Sequence, residues 1–138
     1  AKIYHHTLLQ RLEKQVKLPE WVHAYRRGFQ CREIPFMLVR VIEQCQQWHS
    51  PLRLCTLELR KAYGSVPMLV LSQALLWCGV TEQLARAVVD AAHRRRYKGV
   101  VAEHGSEEMG VTSGLLEGDP MSPMLFNCVM VWALDETY

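Results

Sequence analysis

Apolar residues recur at helical spacing near the start of the chain, at Leu8, Leu9, Leu12 and Val16, and Pro19 marks the end of the helix they predict. Pro35 suits the first turn of a second helix, whose apolar stripe is Leu38, Val41, Ile42, Cys45 and Trp48. Ser50-Pro51 breaks it. Leu52 to Glu58 is a short run rich in leucine and reads as a buried strand. Pro67 opens the next helix, and Gly79 closes it from the position just past its C-cap. Thr81 caps a fourth helix, with Glu82 near the positive end of its dipole, and this helix runs out into His93-Arg94-Arg95-Arg96. Tyr97 to Glu103 and Glu107 to Thr112 predict a β-hairpin with Gly105-Ser106 in its turn. A Gly-Asp-Pro turn follows at Gly118 to Pro120. Ser122 and Pro123 then fit the N-cap and first position of a last helix, and Met124 to Leu134 is so apolar that this helix should be buried. The order helix, helix, strand, helix, helix, hairpin, helix predicts an α/β (α+β) fold, rich in helix, with one short buried strand and one hairpin.

Composition narrows the class without naming it. A chain of 138 residues with 49% hydrophobic content can bury a core. The net charge of +2 is too small to argue for a polyanionic partner by itself. No apolar run approaches the ~18 residues of a membrane span, and the first residues lack the basic-then-apolar pattern of a signal peptide. No membrane association is therefore expected, and nothing in the pattern decides an oligomeric state. Cys31, Cys45, Cys55, Cys78 and Cys128 are scattered, odd in number and without a C-x-x-C pair, which predicts reduced thiols in an intracellular protein of the nucleus or cytoplasm. His5, His6, His23, His49 and His104 have no metal-like spacing and read as surface or core residues. The run His93 to Lys98 leaves two readings open. Arg94, Arg95, Arg96 and Lys98, with Tyr97 among them, can grip a nucleic-acid backbone, or they are the solvated, dipole-matched end of a helix.

Two segments carry a resemblance. Leu115-Leu116-Glu117-Gly118-Asp119-Pro120-Met121-Ser122-Pro123-Met124-Leu125-Phe126-Asn127 resembles the Gln-Gly-Asp-Pro-Leu-Ser-Pro-Leu-Leu-Phe-Asn signature of reverse transcriptases from non-LTR retrotransposons, with Glu117 where the family has Gln. Leu54 to Pro67 is similar to that family's first catalytic motif, an apolar strand ending in Asp, then three residues, Ala, an aromatic and a second Asp. Glu58 stands at the first Asp position and Gly64 at the second, around Ala62-Tyr63. Arg27-Gly28-Phe29-Gln30 resembles a Gly-Phe-Arg loop of the family, and Lys2, Ile3, Arg11 and Leu12 resemble its preceding helix. The resemblance spans nearly the whole chain and is strong from about Gly28 onward.

It implies one partial reverse transcriptase domain over 1–138, with fingers-like helices in 1–50 and a palm-like part in 51–138. The implied reaction is RNA-templated DNA synthesis, with an RNA template, a DNA primer and dNTP as ligands and Mg²⁺ as cofactor. Glu58 would be the catalytic carboxylate and metal ligand, beside the Leu59 carbonyl. Tyr63 would sit under the sugar of the incoming nucleotide, and Glu117 and Gly118 would face the nucleotide. Plainer roles stand beside these: an exposed Glu58 paired with Arg60 or Lys61, a core-packing Tyr63, and an Asp119 that caps its own turn.

The departures from the pattern predict an inactive chain. Mg²⁺ demands near-ideal octahedra at about 2.0–2.1 Å, and Glu carries its carboxylate one methylene further out than Asp. A carboxylate at Glu117 repels phosphates where an amide would donate a hydrogen bond. The family's aromatic-Ala-Asp-Asp hairpin, expected after the last helix, and an upstream Arg-Pro-Ile-Ser segment are both missing. The alternative is a non-catalytic nucleic-acid-binding or scaffold remnant of a retroelement, and a third reading is a decayed product with no selected function.

Overall fold

The computed structural model describes residues 2–94, 96–97, 100–101, 104–105, 109–110 and 113–135. Five helices dominate: α1 (Lys2–Gln15), α2 (Glu33–Gln47), α3 (Met68–Trp77), α4 (Glu82–His93) and α5 (Ser122–Asp135). The chain divides into two compact units, one made of Ala1–Pro19 and Lys61–Tyr138, the other of Glu20–Arg60.

The larger unit holds the core. Leu12 from α1, Leu71 and Leu75 from α3, Val88 from α4, and Leu125 and Val131 from α5 are wholly buried, as is Met121 just ahead of α5. Burial of each such side chain contributes about 1.5–3 kcal/mol. The punctuation at Pro67 and Gly79 works as expected here, while Thr81 stands at the N-cap position of α4 without a side-chain cap bond, its hydroxyl donating to Gln15 instead. Pro67 is the extended residue ahead of α3. Gly79 has φ +87, and its N–H donates to the Leu76 carbonyl at 3.0 Å while the Val80 N–H donates to Leu75 at 3.0 Å. That double bond pattern is a Schellman closure, in which only a residue without Cβ takes the left-handed position cheaply. The Lys17 N–H then donates to the Cys78 carbonyl at 3.0 Å and ties the end of α1 to the end of α3. Cys78 and Cys128 meet inside this core, the Cys78 thiol 4.0 Å from the Cys128 carbonyl oxygen. Hydrogen bonding with Cys78, and then burial, push the Cys128 thiol far above the ordinary thiol range.

The smaller unit is different in kind. Its helix α2 has no buried residue, and Phe36, Val39 and Trp48 stand more than half exposed. Of the apolar stripe expected there, only Ile42 and Cys45 are half-buried.

The α/β class is overturned. Residues 51–59, where a buried strand was expected over Leu52 to Glu58, have no regular secondary structure and are exposed throughout. A strand exists only when its backbone groups find a partner ladder, and none of the described residues pairs with this segment. The hairpin fails as a β element too. The described residues hold four strands of two residues each, in two separate antiparallel pairs: Arg96–Tyr97 with Met109–Gly110, and Val100–Val101 with His104–Gly105. Such pairs are too short to form a sheet layer that a core could pack against. Gly105 is paired with Val100 instead of lying in a turn, and Ser106 lies outside the described residues, as do 98–99, 102–103, 107–108 and 111–112 of the expected hairpin. The architecture is helix-rich. No helix among the described residues is long and apolar enough to cross a membrane.

Candidate functional site

The Lys61–Pro67 part of the first segment that carries the resemblance meets the second segment within the larger unit. Residues 61–65 form a turn in which the Ser65 N–H donates to the Lys61 carbonyl at 2.9 Å and the Ser65 hydroxyl to the Ala62 carbonyl at 3.1 Å. The stretch before α5 docks on this turn by backbone bonds. The Gly114 N–H donates to Val66 and the Leu115 N–H to Tyr63, both at 2.8 Å. Gly114 has φ +89, and a Cβ built on it would lie 2.8 Å from the Gly64 carbonyl oxygen and 2.9 Å from the Gly64 Cα. The approach is therefore open only to glycine. Tyr63 sets its ring edge-on against Phe126 of α5, with centroids 5.1 Å apart at 62°. That geometry suits the ring quadrupoles and makes Tyr63 a packing residue as well as a candidate nucleotide neighbour.

The Gly-Asp-Pro turn follows directly. Gly118 is exposed at φ +83 with open space where a Cβ would stand. Glu117 beside it is exposed. Asp119 is turned inward, its side chain 1% exposed. One carboxylate oxygen accepts the Met121 N–H at 2.9 Å, and the other lies 2.8 Å from Nδ1 of His5 on α1. The Asp119 carbonyl accepts the Ser122 N–H at 3.1 Å. Asp119 thus closes its own turn, as one of its expected roles had it, while Ser122 makes no cap bond: its hydroxyl is buried with no hydrogen-bond partner among the described residues. Sequence reading missed His5. It lies 114 positions from its partner, and no local pattern announces the pair. An open depression of about 480 Å³ lies between the start of α1, at Ile3, His6 and Thr7, and the turn at Gly118 and Pro120.

The remaining candidates take no part in these contacts among the described residues. Glu58 and Leu59 belong to the Glu20–Arg60 unit and are exposed in its irregular stretch, with Leu59 50% exposed. None of the ion pairs among the described residues includes Glu58, so the expected partnership with Arg60 or Lys61 does not form. Arg94 closes α4 and pairs with Asp90 one turn back at 3.2 Å, both exposed. Arg96 lies in a two-residue strand, while Arg95 and Lys98 lie outside the described residues.

A Mg²⁺ pair needs several oxygen donors converging at one place. Among the described residues no three His, Cys, Asp or Glu side chains gather to hold a metal, and the buried carboxylate of Asp119 is already engaged by His5 and the Met121 amide. Among the described residues, the donors present do not converge as that group requires. Compared with protein-family models, with characterised proteins and with solved structures, the chain has no significant match.

Proposed function

We propose that this chain is a reverse-transcriptase-like domain of the non-LTR retrotransposon type, descended from an RNA-directed DNA polymerase, and that by itself it does not extend a primer. One observation carries the reading. The Ala62-Tyr63 turn and the Glu117-to-Asn127 segment, recognised separately in the sequence, are joined by the Tyr63–Leu115 and Val66–Gly114 backbone bonds and by the Tyr63–Phe126 ring contact. Two motifs of one active site must meet in space, and motifs matched by chance have no reason to do so. In this reading RNA template, DNA primer and dNTP are the ancestral ligands. Tyr63, Glu117 and Gly118 border the nucleotide, and Glu58 is the remnant of the metal-binding carboxylate. The basic stretch Arg94, Arg95, Arg96 and Lys98 contacts the nucleic-acid backbone. A location in the nucleus or cytoplasm goes with such ligands.

Inactivity follows from the donors. Glu58 is an exposed single carboxylate, and Glu117 offers negative charge where a nucleotide brings its own. The test is dNTP incorporation on an RNA template with a DNA primer, with Mg²⁺ and separately with Mn²⁺. The unmodified chain should give none. A chimaera carrying Glu58→Asp, Glu117→Gln and a family segment with the Asp pair should give some. Incorporation by the unmodified chain would overturn the claim of inactivity, and a folded but inert chimaera would count against descent from a polymerase. A second reading, a non-catalytic nucleic-acid-binding remnant, is favoured by the exposure of Glu58 in a stretch without regular secondary structure. It requires RNA–DNA duplex binding that is sensitive to salt and indifferent to metal.

A further inference from the structure

Helix α1 turns an unusual face toward α4. Tyr4, Leu8, Arg11 and Gln15 recur at spacings of four, three and four, which places them on one side of the helix. A face that packs on another helix is ordinarily apolar along its length. Here only Leu8 is buried, so the helices leave a groove of about 370 Å³ in place of a closed seam. Leu8, Leu84 and the half-buried Ala87 supply its apolar lining, and Lys14 and Gln83 border it. One end is pinned. The Gln15 side-chain oxygen accepts the Thr81 N–H at 2.9 Å and the Thr81 hydroxyl at 3.2 Å, which fixes α1 against the start of α4.

The charge balance of the groove is one-sided. Arg11 and Lys14 are exposed and take part in no ion pair among the described residues. The acid in the first turn of α4, Glu82, is held by Arg86. Among the described residues no acidic side chain lines the groove. Tyr4 offers a ring that is 54% exposed above the apolar lining. Two free cations, a ring face, an apolar wall and an amide together match a nucleoside phosphate: a base stacks on the ring, and phosphate oxygens meet the cations. The volume is of the order that holds one small ligand.

The geometry points to a single-stranded nucleic-acid site in the α1–α4 groove, with Arg11 and Lys14 on the phosphates and Tyr4 stacking a base. This rests on the nucleic-acid reading above but uses residues apart from the basic stretch at the end of α4. It is tested with the full chain by fluorescence anisotropy of a labelled RNA of about eight nucleotides, a length within the usual site range, titrated across a salt series. AMP serves as the free-nucleotide competitor. Arg11, Lys14 and Tyr4 are exposed, so their variants should keep the wild-type circular dichroism. The Arg11→Gln/Lys14→Gln chain should lose affinity and show a log–log salt slope shallower by about 1.4, the value for two single-strand phosphates. Tyr4→Ala should weaken binding about fivefold or more with the slope unchanged. If the double variant keeps both affinity and slope while Arg94→Ala/Arg95→Ala/Arg96→Ala loses binding, the groove is not the site and the wider reading stands. If the wild-type chain binds no RNA, the groove and the nucleic-acid reading fall together. If AMP binds as tightly as the oligonucleotide and displaces it, the ligand is a free nucleotide and the strand assignment is overturned.

Discussion

Ser122 and Asp119, three residues apart before and at the start of α5, have opposite fates: one hydroxyl buried without a partner among the described residues, one carboxylate held at both oxygens. The sequence offers Ser122 as the cap of α5, but among the described residues its hydroxyl makes no cap bond, and the Asp119 carboxylate instead closes the turn ahead of the helix by accepting the Met121 N–H. The Ser122 hydroxyl is left buried without a partner among the described residues, a position that costs about 1–3 kcal/mol of desolvation. Ser122→Ala should therefore stabilise the chain by about 1 kcal/mol, seen as a higher urea midpoint with an unchanged slope. His5 acts in the opposite direction. It is the side chain that meets the second oxygen of a carboxylate only 1% exposed. His5→Ala should destabilise the chain by about 1–3 kcal/mol, because a carboxylate only 1% exposed keeps its burial and loses one of its hydrogen-bond partners. A His5→Ala chain as stable as wild type in urea would show that water reaches Asp119 and satisfies it there.

At the scale of elements, the junction between the 61–66 turn and the stretch before α5 rests on two glycines with different tasks. Gly114 needs both its positive φ and its missing Cβ, since the nearest atoms to an added methyl are Gly64 backbone at 2.8–3.0 Å. Gly64 needs neither, because an added Cβ there meets nothing closer than the Lys61 carbonyl oxygen at 3.6 Å. Gly114→Ala should then cost about 2 kcal/mol or more, combining left-handed strain with a clash against backbone that cannot rotate away. Gly64→Ala should stay within about 0.5 kcal/mol of wild type. Thermal unfolding of the two variants side by side makes the comparison, and equal losses would refute this account of the junction. The contrast also changes the meaning of Gly64. Read from the motif, it is a position that has lost an Asp. In the fold its backbone is the surface on which Gly114 rests.

Across the molecule, burial sorts the five thiols. Cys31 and Cys55 are exposed, Cys45 is half-buried, and Cys78 and Cys128 lie in the core. A thiol reacts as its thiolate, and both inaccessibility and the upward push on Cys128 oppose that form. Alkylation of the native chain near neutral pH should label Cys31 and Cys55 first, Cys45 more slowly, and Cys78 and Cys128 only in denaturant, as read by mass spectrometry of peptides. Early labelling of Cys128 would mean that α3 and α5 separate in the native state. The same division by burial explains what could be read in advance. All five helices were legible, because Pro35, Pro67, Gly79 and Thr81 punctuate the chain locally and the leucine spacing of α1 follows the helix period. Those signals act over a few residues and need no partner. Leu52 to Glu58 misled for the converse reason. Its composition suits a strand, but a strand is completed only by another strand, and the segment here is irregular and exposed without one among the described residues. The likeness of Glu117 to Asn127 to a known motif was likewise present in the residues themselves. That His5 would reach Asp119, that Gly114 would press on Gly64, and that Tyr63 would lean on Phe126 was decided only in the folded chain. Each of those contacts joins segments tens of residues apart or more, and such contacts form only once the helices have packed around a shared core.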